Sequence, residues 1–188
     1  MSIPTVPITL IVNGQTHQVD VAPHHTLLEV LHDQLGLTGS KECCAAGECG
    51  ACTLIMAGEA VDSCLILAVE AEGKPVETIE GLATDGRLDP LQQAFLDHGA
   101  VQCGFCIPGM IMSAKYLLNT TPHPTEAEIK EGLAGNLCRC AGYSRIVAAV
   151  AAAAKTPGVG GSRLRQGSGE ARRSEAEAAA GAKPPGAI

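Results

Sequence analysis

The sequence predicts an α+β chain in two parts: a β-sheet crossed by one helix, then a small four-helix bundle. Three observations carry this. Ile8, Leu10 and Val12 alternate with their neighbours, and His17, Val19 and Val21 do so on the far side of Asn13-Gly14, a strong two-residue hairpin signal. Beyond about Gly81 the texture turns helical, with start signals at Asp89-Pro90, Pro108 and Thr125. Eight of the nine cysteines fall into two sets of four, one set in each part.

The elements follow in order. Strands are predicted over 8–12 and 17–21. Thr26 and Glu29 form a capping box, the Thr hydroxyl and the Glu carboxylate each answering the other's backbone N–H. Leu27, Leu28, Leu31 and Leu35 make the apolar stripe of the helix that follows, and Gly36 ends it. After a glycine-rich cysteine loop, residues 53–56 and 61–64 read as a hairpin across Ala57-Gly58-Glu59, and 76–80 as the last strand. Asp89 then caps a helix with Pro90 at its first position. Pro108 opens a second helix to about Leu118. The box Thr125 to Glu128 starts a third to about Leu133, and Tyr143 to Lys155 is the fourth. The domain boundaries are accordingly 5–82, 83–156 and a Gly/Ala/Pro-rich tail at 157–188. The tail has no apolar periodicity, and flexibility is expected of it.

Composition narrows the function. Aromatics are only 2% of residues, so two small aliphatic cores would need help from a metal to hold together. A formal charge of −7 argues against a nucleic-acid surface, which needs a basic stripe. No apolar run approaches the length of a membrane span. The N-terminal MSIPTVPITL has no basic n-region and no twin arginine, which reads as cytoplasmic. In that compartment patterned cysteines mean metal more often than disulfide.

The first set is Cys44, Cys49, Cys52 and Cys64, spaced C-x4-C-x2-C with the fourth cysteine further on. This is the plant-type [2Fe–2S] ferredoxin spacing, and the sheet crossed by one helix is consistent with a ferredoxin-like β-grasp. The loop is almost wholly Ala and Gly, which lets backbone N–H groups approach cluster sulfurs; Glu48 is the exception and is expected to face outward. Choosing Cys43 as ligand would break the x4 spacing, so Cys43 is read as a small buried residue. The second set is Cys103, Cys106, Cys138 and Cys140. On spacing alone its C-x2-C and C-x-C pairs leave tetrahedral zinc as a competitor. Both pairs sit beside helix starts and can meet at one end of the bundle. The six histidines form no ligand spacing, and no catalytic constellation of Ser, His and Asp stands out.

The flanking motifs sharpen this. GECGACT (47–53), SCL (63–65), IEGLA (79–83), DPLQQAF (89–95), QCGFCIPGM (102–110), PTEAEI (124–129) and GNLCRCAGY (135–143) resemble the small iron–sulfur subunit of the molybdenum hydroxylases. That family includes xanthine oxidase, aldehyde oxidoreductase, carbon monoxide dehydrogenase and 4-hydroxybenzoyl-CoA reductase. The resemblance spans about residues 5–155. It implies one [2Fe–2S] cluster in each domain, with the bundle cluster nearer the molybdenum cofactor. It implies a large subunit that binds molybdopterin, as the cytosine dinucleotide, and the substrate. It also implies a medium FAD-binding subunit, with the complex a dimer of heterotrimers. By position, Gln102 and Cys140 match residues that approach the pterin. Cys43 departs from the family's usual glycine, and Ala141 from its usual threonine. Two other function classes remain open at this point: a free-standing ferredoxin-like carrier and a structural zinc module.

Overall fold

A computed structural model describes residues 4–157 and 159. Five strands form one mixed sheet: β1 (Val6–Val12), β2 (Gln15–Val21), β3 (Thr53–Met56), β4 (Glu59–Asp62) and β5 (Pro75–Glu77), in the order β2-β1-β5-β3-β4. β1 pairs antiparallel with β2 and parallel with β5, while β3 pairs antiparallel with both β4 and β5. Among the described residues there are also five α-helices: α1 (Leu27–Asp33), α2 (Pro90–Asp97), α3 (Ile107–Thr120), α4 (Glu126–Gly132) and α5 (Tyr143–Ala153). Among the described residues no helix is long and apolar enough to cross a membrane.

Local chemistry explains the turns. Asn13 and Gly14 both take positive φ (51° and 79°), as the hairpin signal requires, and Val12 pairs with Gln15. The second hairpin is tighter than the expected Ala57-Gly58-Glu59 turn. Ala57 enters the left-handed region with Gly58, so two residues close it and Glu59 already pairs with Met56. The last strand is also shorter than expected. The Asn13 side chain captures residue 78: Thr78 N–H donates to its Oδ1 and its Nδ2 donates to Thr78 Oγ1, both at 2.9 Å. The backbone leaves the sheet there, and residues 79–81 form a 3-10 turn. A second 3-10 turn, over 68–71, had no clear signal in the sequence.

The three helix starts at Thr26, Asp89 and Thr125 are all capping boxes in the structure. Each satisfies two of the backbone donors that a helix N-terminus otherwise leaves unpaired. α1 ends as Gly36 turns left-handed (φ 69°) and Leu37 N–H reaches back to the Leu31 carbonyl.

Two apolar cores result. One joins Ile8, Leu10 and Val12 of β1 and Leu54 of β3 to Leu27, Val30 and Leu31 of α1. The other is built by α2–α5 around Leu91, Phe95, Met110, Ile129, Ile146 and Val150. β3 is buried along its whole length, and α3 lies against it. The sheet and the helices therefore meet along β3, next to the cysteine loop that precedes it. A mostly buried ion pair sits nearby: Lys115 Nζ of α3 lies 3.0 Å from Asp89 Oδ2, the cap of α2.

Candidate metal centres

The first cysteine loop is shaped by left-handed turns at Ala45, Gly47 and Gly50 (φ 49°, 74° and 65°). These turns aim backbone N–H groups inward. Those of Ala46 and Glu48 each lie 3.4 Å from Cys44 Sγ. In its thiol form Cys44 is drawn down to about 7, first by the Ala46 N–H and then by the Cys49 thiol and the Glu48 N–H. Such donors stabilise a thiolate, the form that binds iron. Glu48 is exposed, as its place in the loop suggested.

Cys49 and Cys52 are buried, Cys44 and Cys64 half-buried. Their sulfurs associate in pairs. The Cys49 thiol hydrogen-bonds to the Cys44 sulfur, and Cys52 Sγ lies 3.4 Å from Cys64 Sγ. Burial pushes the Cys52 thiol up to about 12, helped by its contact with Cys64 and the nearby Asp62 carboxylate. Cys43 corrects the sequence reading: its side chain is exposed, not buried. The turn that brings Cys44 inward leaves its neighbour facing solvent.

In the second set, Cys103, Cys106, Cys138 and Cys140 line one small cavity with Gln102 and Gly142. Cys106 stands at the N-cap position of α3, and the CRC segment lies just before α5, so two helix starts bring the cysteines together. Again the sulfurs pair, Cys106 with Cys138 and Cys103 with Cys140. Burial, then the contact with Cys138, pushes Cys106 up to about 12. Burial alone would raise Cys138 too. The N–H of Gly142, the Cys106 thiol and the N–H groups of Cys140 and Ala141 outweigh it and hold Cys138 below the ordinary 9.0. Ala141 turns left-handed (φ 57°) to make this possible. The Cys138 N–H itself donates to the Tyr143 hydroxyl at 2.7 Å. Gln102 is exposed at the rim, its Nε2 donating to the Cys140 carbonyl at 3.3 Å. Arg139 is exposed to solvent.

Among the described residues, no three His, Cys, Asp or Glu side chains converge as ligands of a single metal ion. The sulfurs are arranged two by two instead. A two-iron cluster asks for that, with two thiolates per iron. The inward N–H groups suit its negative charge. The donor sets therefore fit a [2Fe–2S] cluster in each site.

Several residues that hold the sites together were not picked out from the sequence. Asn136 is buried, and its Nδ2 donates to the Gly50 carbonyl at 2.8 Å across the two cores. Ser63, fully buried, donates from its hydroxyl to the Cys52 carbonyl at 2.8 Å. Gly109 packs directly on the Gly50 backbone. An uncharged polar residue two positions before a cysteine and a glycine inside a helix are the weak signals that could have found Asn136 and Gly109.

Comparison with known proteins agrees with this geometry. Residues 10–83 match the family model described as 2Fe-2S iron-sulfur cluster binding domain, and residues 78–151 match the one described as [2Fe-2S] binding domain. The chain is 49% identical over 145 residues to the nicotinate dehydrogenase small FeS subunit of Eubacterium barkeri, covering 77% of this chain and 92% of that one. It is 48% identical over 154 residues to the xanthine dehydrogenase iron-sulfur-binding subunit of Escherichia coli O157:H7, covering 81% and 96%. Among solved structures, quinoline 2-oxidoreductase from Pseudomonas putida 86 has a chain that aligns with a TM-score of 0.78 at 42% identity, over 80% of this chain and 94% of that chain. Aldehyde oxidoreductase from Desulfovibrio desulfuricans aligns with a TM-score of 0.76 at 44% identity, over 79% of this chain but only 17% of that longer one. Cysteines gathered in two sites, two matched cluster-binding models and relatives matched over more than nine-tenths of their own length lead to one conclusion: the chain belongs to the small iron–sulfur subunits of the molybdenum hydroxylase family, the electron-transfer components of multisubunit oxidoreductases.

Proposed function

We propose that the chain holds two [2Fe–2S] clusters and passes electrons between them. One would be ligated by Cys44, Cys49, Cys52 and Cys64, the other by Cys103, Cys106, Cys138 and Cys140. The observation that carries this reading is the gathering of the cysteines in each site: Cys52 Sγ lies 3.4 Å from Cys64 Sγ in the first, with backbone N–H groups aimed at Cys44 Sγ, and all four cysteines of the second line one cavity. The domain division is 5–82, a plant-type ferredoxin β-grasp, and 83–156, a four-helix bundle. The tail at 157–188 lies, but for Pro157 and Val159, outside the described residues. Each cluster, when bound, supplies one-electron redox chemistry. The residues do the rest. The Cys44–Cys52 loop directs N–H groups at sulfur, and the starts of α3 and α5 hold the second set in a partly open cavity.

Electrons would arrive from a molybdopterin on a large partner subunit, in its cytosine dinucleotide form, and enter through the second set. Gln102 and Cys140 stand at the rim of that cavity and would face the pterin. Electrons would leave from the first set to FAD on a medium subunit, in a dimer of heterotrimers in the cytoplasm. The substrate is chosen elsewhere: relatives of similar identity are named for nicotinate, nicotine, xanthine and caffeine. The test is iron and acid-labile sulfide on anaerobically purified chain, with EPR after dithionite. Equal iron and sulfide with two distinct signals supports the reading, and zinc without sulfide rejects it.

A further inference from the structure

We infer that Asn136 is a positioning residue for electron transfer: it clamps the helical part onto the first cysteine loop so that the Leu137 N–H and the Cys49 carbonyl join the two cysteine sets through one hydrogen bond. The inference rests on the ligand sets proposed above.

The bond is short and direct, with Leu137 N 2.9 Å from Cys49 O. Cys49 belongs to the first set, and Leu137 immediately precedes Cys138 of the second. From Cys49 Sγ the route runs through its own Cβ, Cα and carbonyl, across the hydrogen bond, and along the Leu137 backbone to Cys138 and its sulfur. Every step but one is covalent. Electron tunnelling decays less steeply along bonds than across van der Waals gaps, so this single contact sets the coupling along the route. The electron balance is simple. One electron crosses, oxidising the centre on the second set and reducing that on the first, with no bond made or broken and no proton moved.

Asn136 secures the geometry. It is only 5% exposed, and its Nδ2 donates both to the Gly50 carbonyl at 2.8 Å and to Thr53 Oγ1 at 3.3 Å. Thr53 Oγ1 in turn donates to the same Gly50 carbonyl at 2.8 Å. Buried amide donors are costly to leave unpaired, so this network fixes the loop rather than decorating it. The Leu137 side chain, by contrast, is 56% exposed, so core packing does not explain why its backbone is held here.

The test uses the full chain carrying both clusters. Asn136→Ala is compared with the unaltered protein for the intercluster transfer rate after flash photoreduction, the midpoint potential of each cluster, and the spin–spin splitting in the doubly reduced EPR spectrum. The expected result is slower transfer and weaker splitting at unchanged iron content and unchanged potentials. A purely structural Asn136 would lower thermal stability and leave the rate alone. An unchanged rate at unchanged potentials overturns the inference. If Asn136→Ala cannot hold both clusters, Leu137 is introduced as its α-hydroxy acid, which replaces the peptide N–H by an ester oxygen and so removes the donor to Cys49 while leaving every side chain in place. Slower transfer there supports the inference and an unchanged rate overturns it. Absence of clusters from the unaltered chain would instead refute the proposed function.

Discussion

Gly109 of α3 meets Gly50 of the first cysteine loop backbone to backbone, so closely that a Cβ on Gly109 would overlap the Gly50 carbonyl oxygen. The contact lets a helix of one core approach the cysteine loop of the other. The carbonyl that it crowds is the one that receives Asn136 and Thr53.

Gly109→Ala tests that approach. Alanine in a helix interior is ordinarily worth up to ~1 kcal/mol over glycine. Here the added methyl meets backbone, which cannot rotate away, and overpacking costs about 1–3 kcal/mol. The net expectation is a less stable protein. Urea denaturation of the cluster-loaded chain checks it, and a stabilised variant would show that the contact is looser than its geometry.

Substituting single proposed ligands should separate the two sites. Cys49→Ser removes one member of the first set and Cys103→Ser one of the second. Each should lower iron and sulfide by half and abolish a different EPR signal. Loss of both signals in either variant would mean that the sites cannot fill independently.

The pair Lys115–Asp89 predicts an asymmetry. Both side chains are nearly buried, 11% and 13% exposed, and Asp89 also accepts from the Leu91 N–H at 2.8 Å. Asp89→Ala strands a buried ammonium and removes a helix cap, for a loss of about 3–5 kcal/mol. Lys115→Met leaves Asp89 its helix donor and should cost less. It should also raise the pKa of Glu77, which burial already holds above the ordinary 4.5 and which the Lys115 charge pulls down. Denaturation of both variants and an NMR titration of Glu77 check the two halves of this prediction.

The capping carboxylates give stability a pH dependence of known sign. Glu29 and Glu128 lie below the ordinary 4.5, first because each accepts a backbone N–H, from Thr26 and Thr125. A carboxylate lowered on folding contributes stability above its unfolded value, and that contribution is lost as pH falls through the folded one. Glu29→Gln should therefore be less stable than the unaltered chain at neutral pH, with the gap closing at acid pH. Denaturation across pH 2–7 (about the range where carboxylates titrate) measures it, and a gap that stays constant would contradict the cap's electrostatic role.

Local signals carried much of the fold. Asn13-Gly14 demands two left-handed residues, and a Thr followed three residues later by Glu, or an Asp followed at once by Pro, is a local helix-start signal, so these elements were legible. The end of β5 was not, because the Asn13 side chain that diverts the chain at Thr78 is far away in sequence. The same division holds at the sites. Spacing marked out two sets of four cysteines, but which sulfurs pair depends on how the loops close. Cys43 was misread because adjacent residues in a tight turn face opposite ways. Asn136 is a polar residue in a loop until folding sets it against Gly50.

The two apolar cores suggest modules that could be exchanged, but their seam says otherwise. It is closed by backbone at Gly50 and Gly109, by the Asn136 amide, by the Leu137 N–H and by the Tyr116 hydroxyl donating to Glu59 at 2.8 Å. A chimera that borrowed either half from another protein would need a bare helix surface at one position, an unhindered loop at another and the matching amide at a third. Its halves could each fold correctly and still fail to join. For protein engineering, the unit of exchange is therefore the whole stretch from β1 to α5.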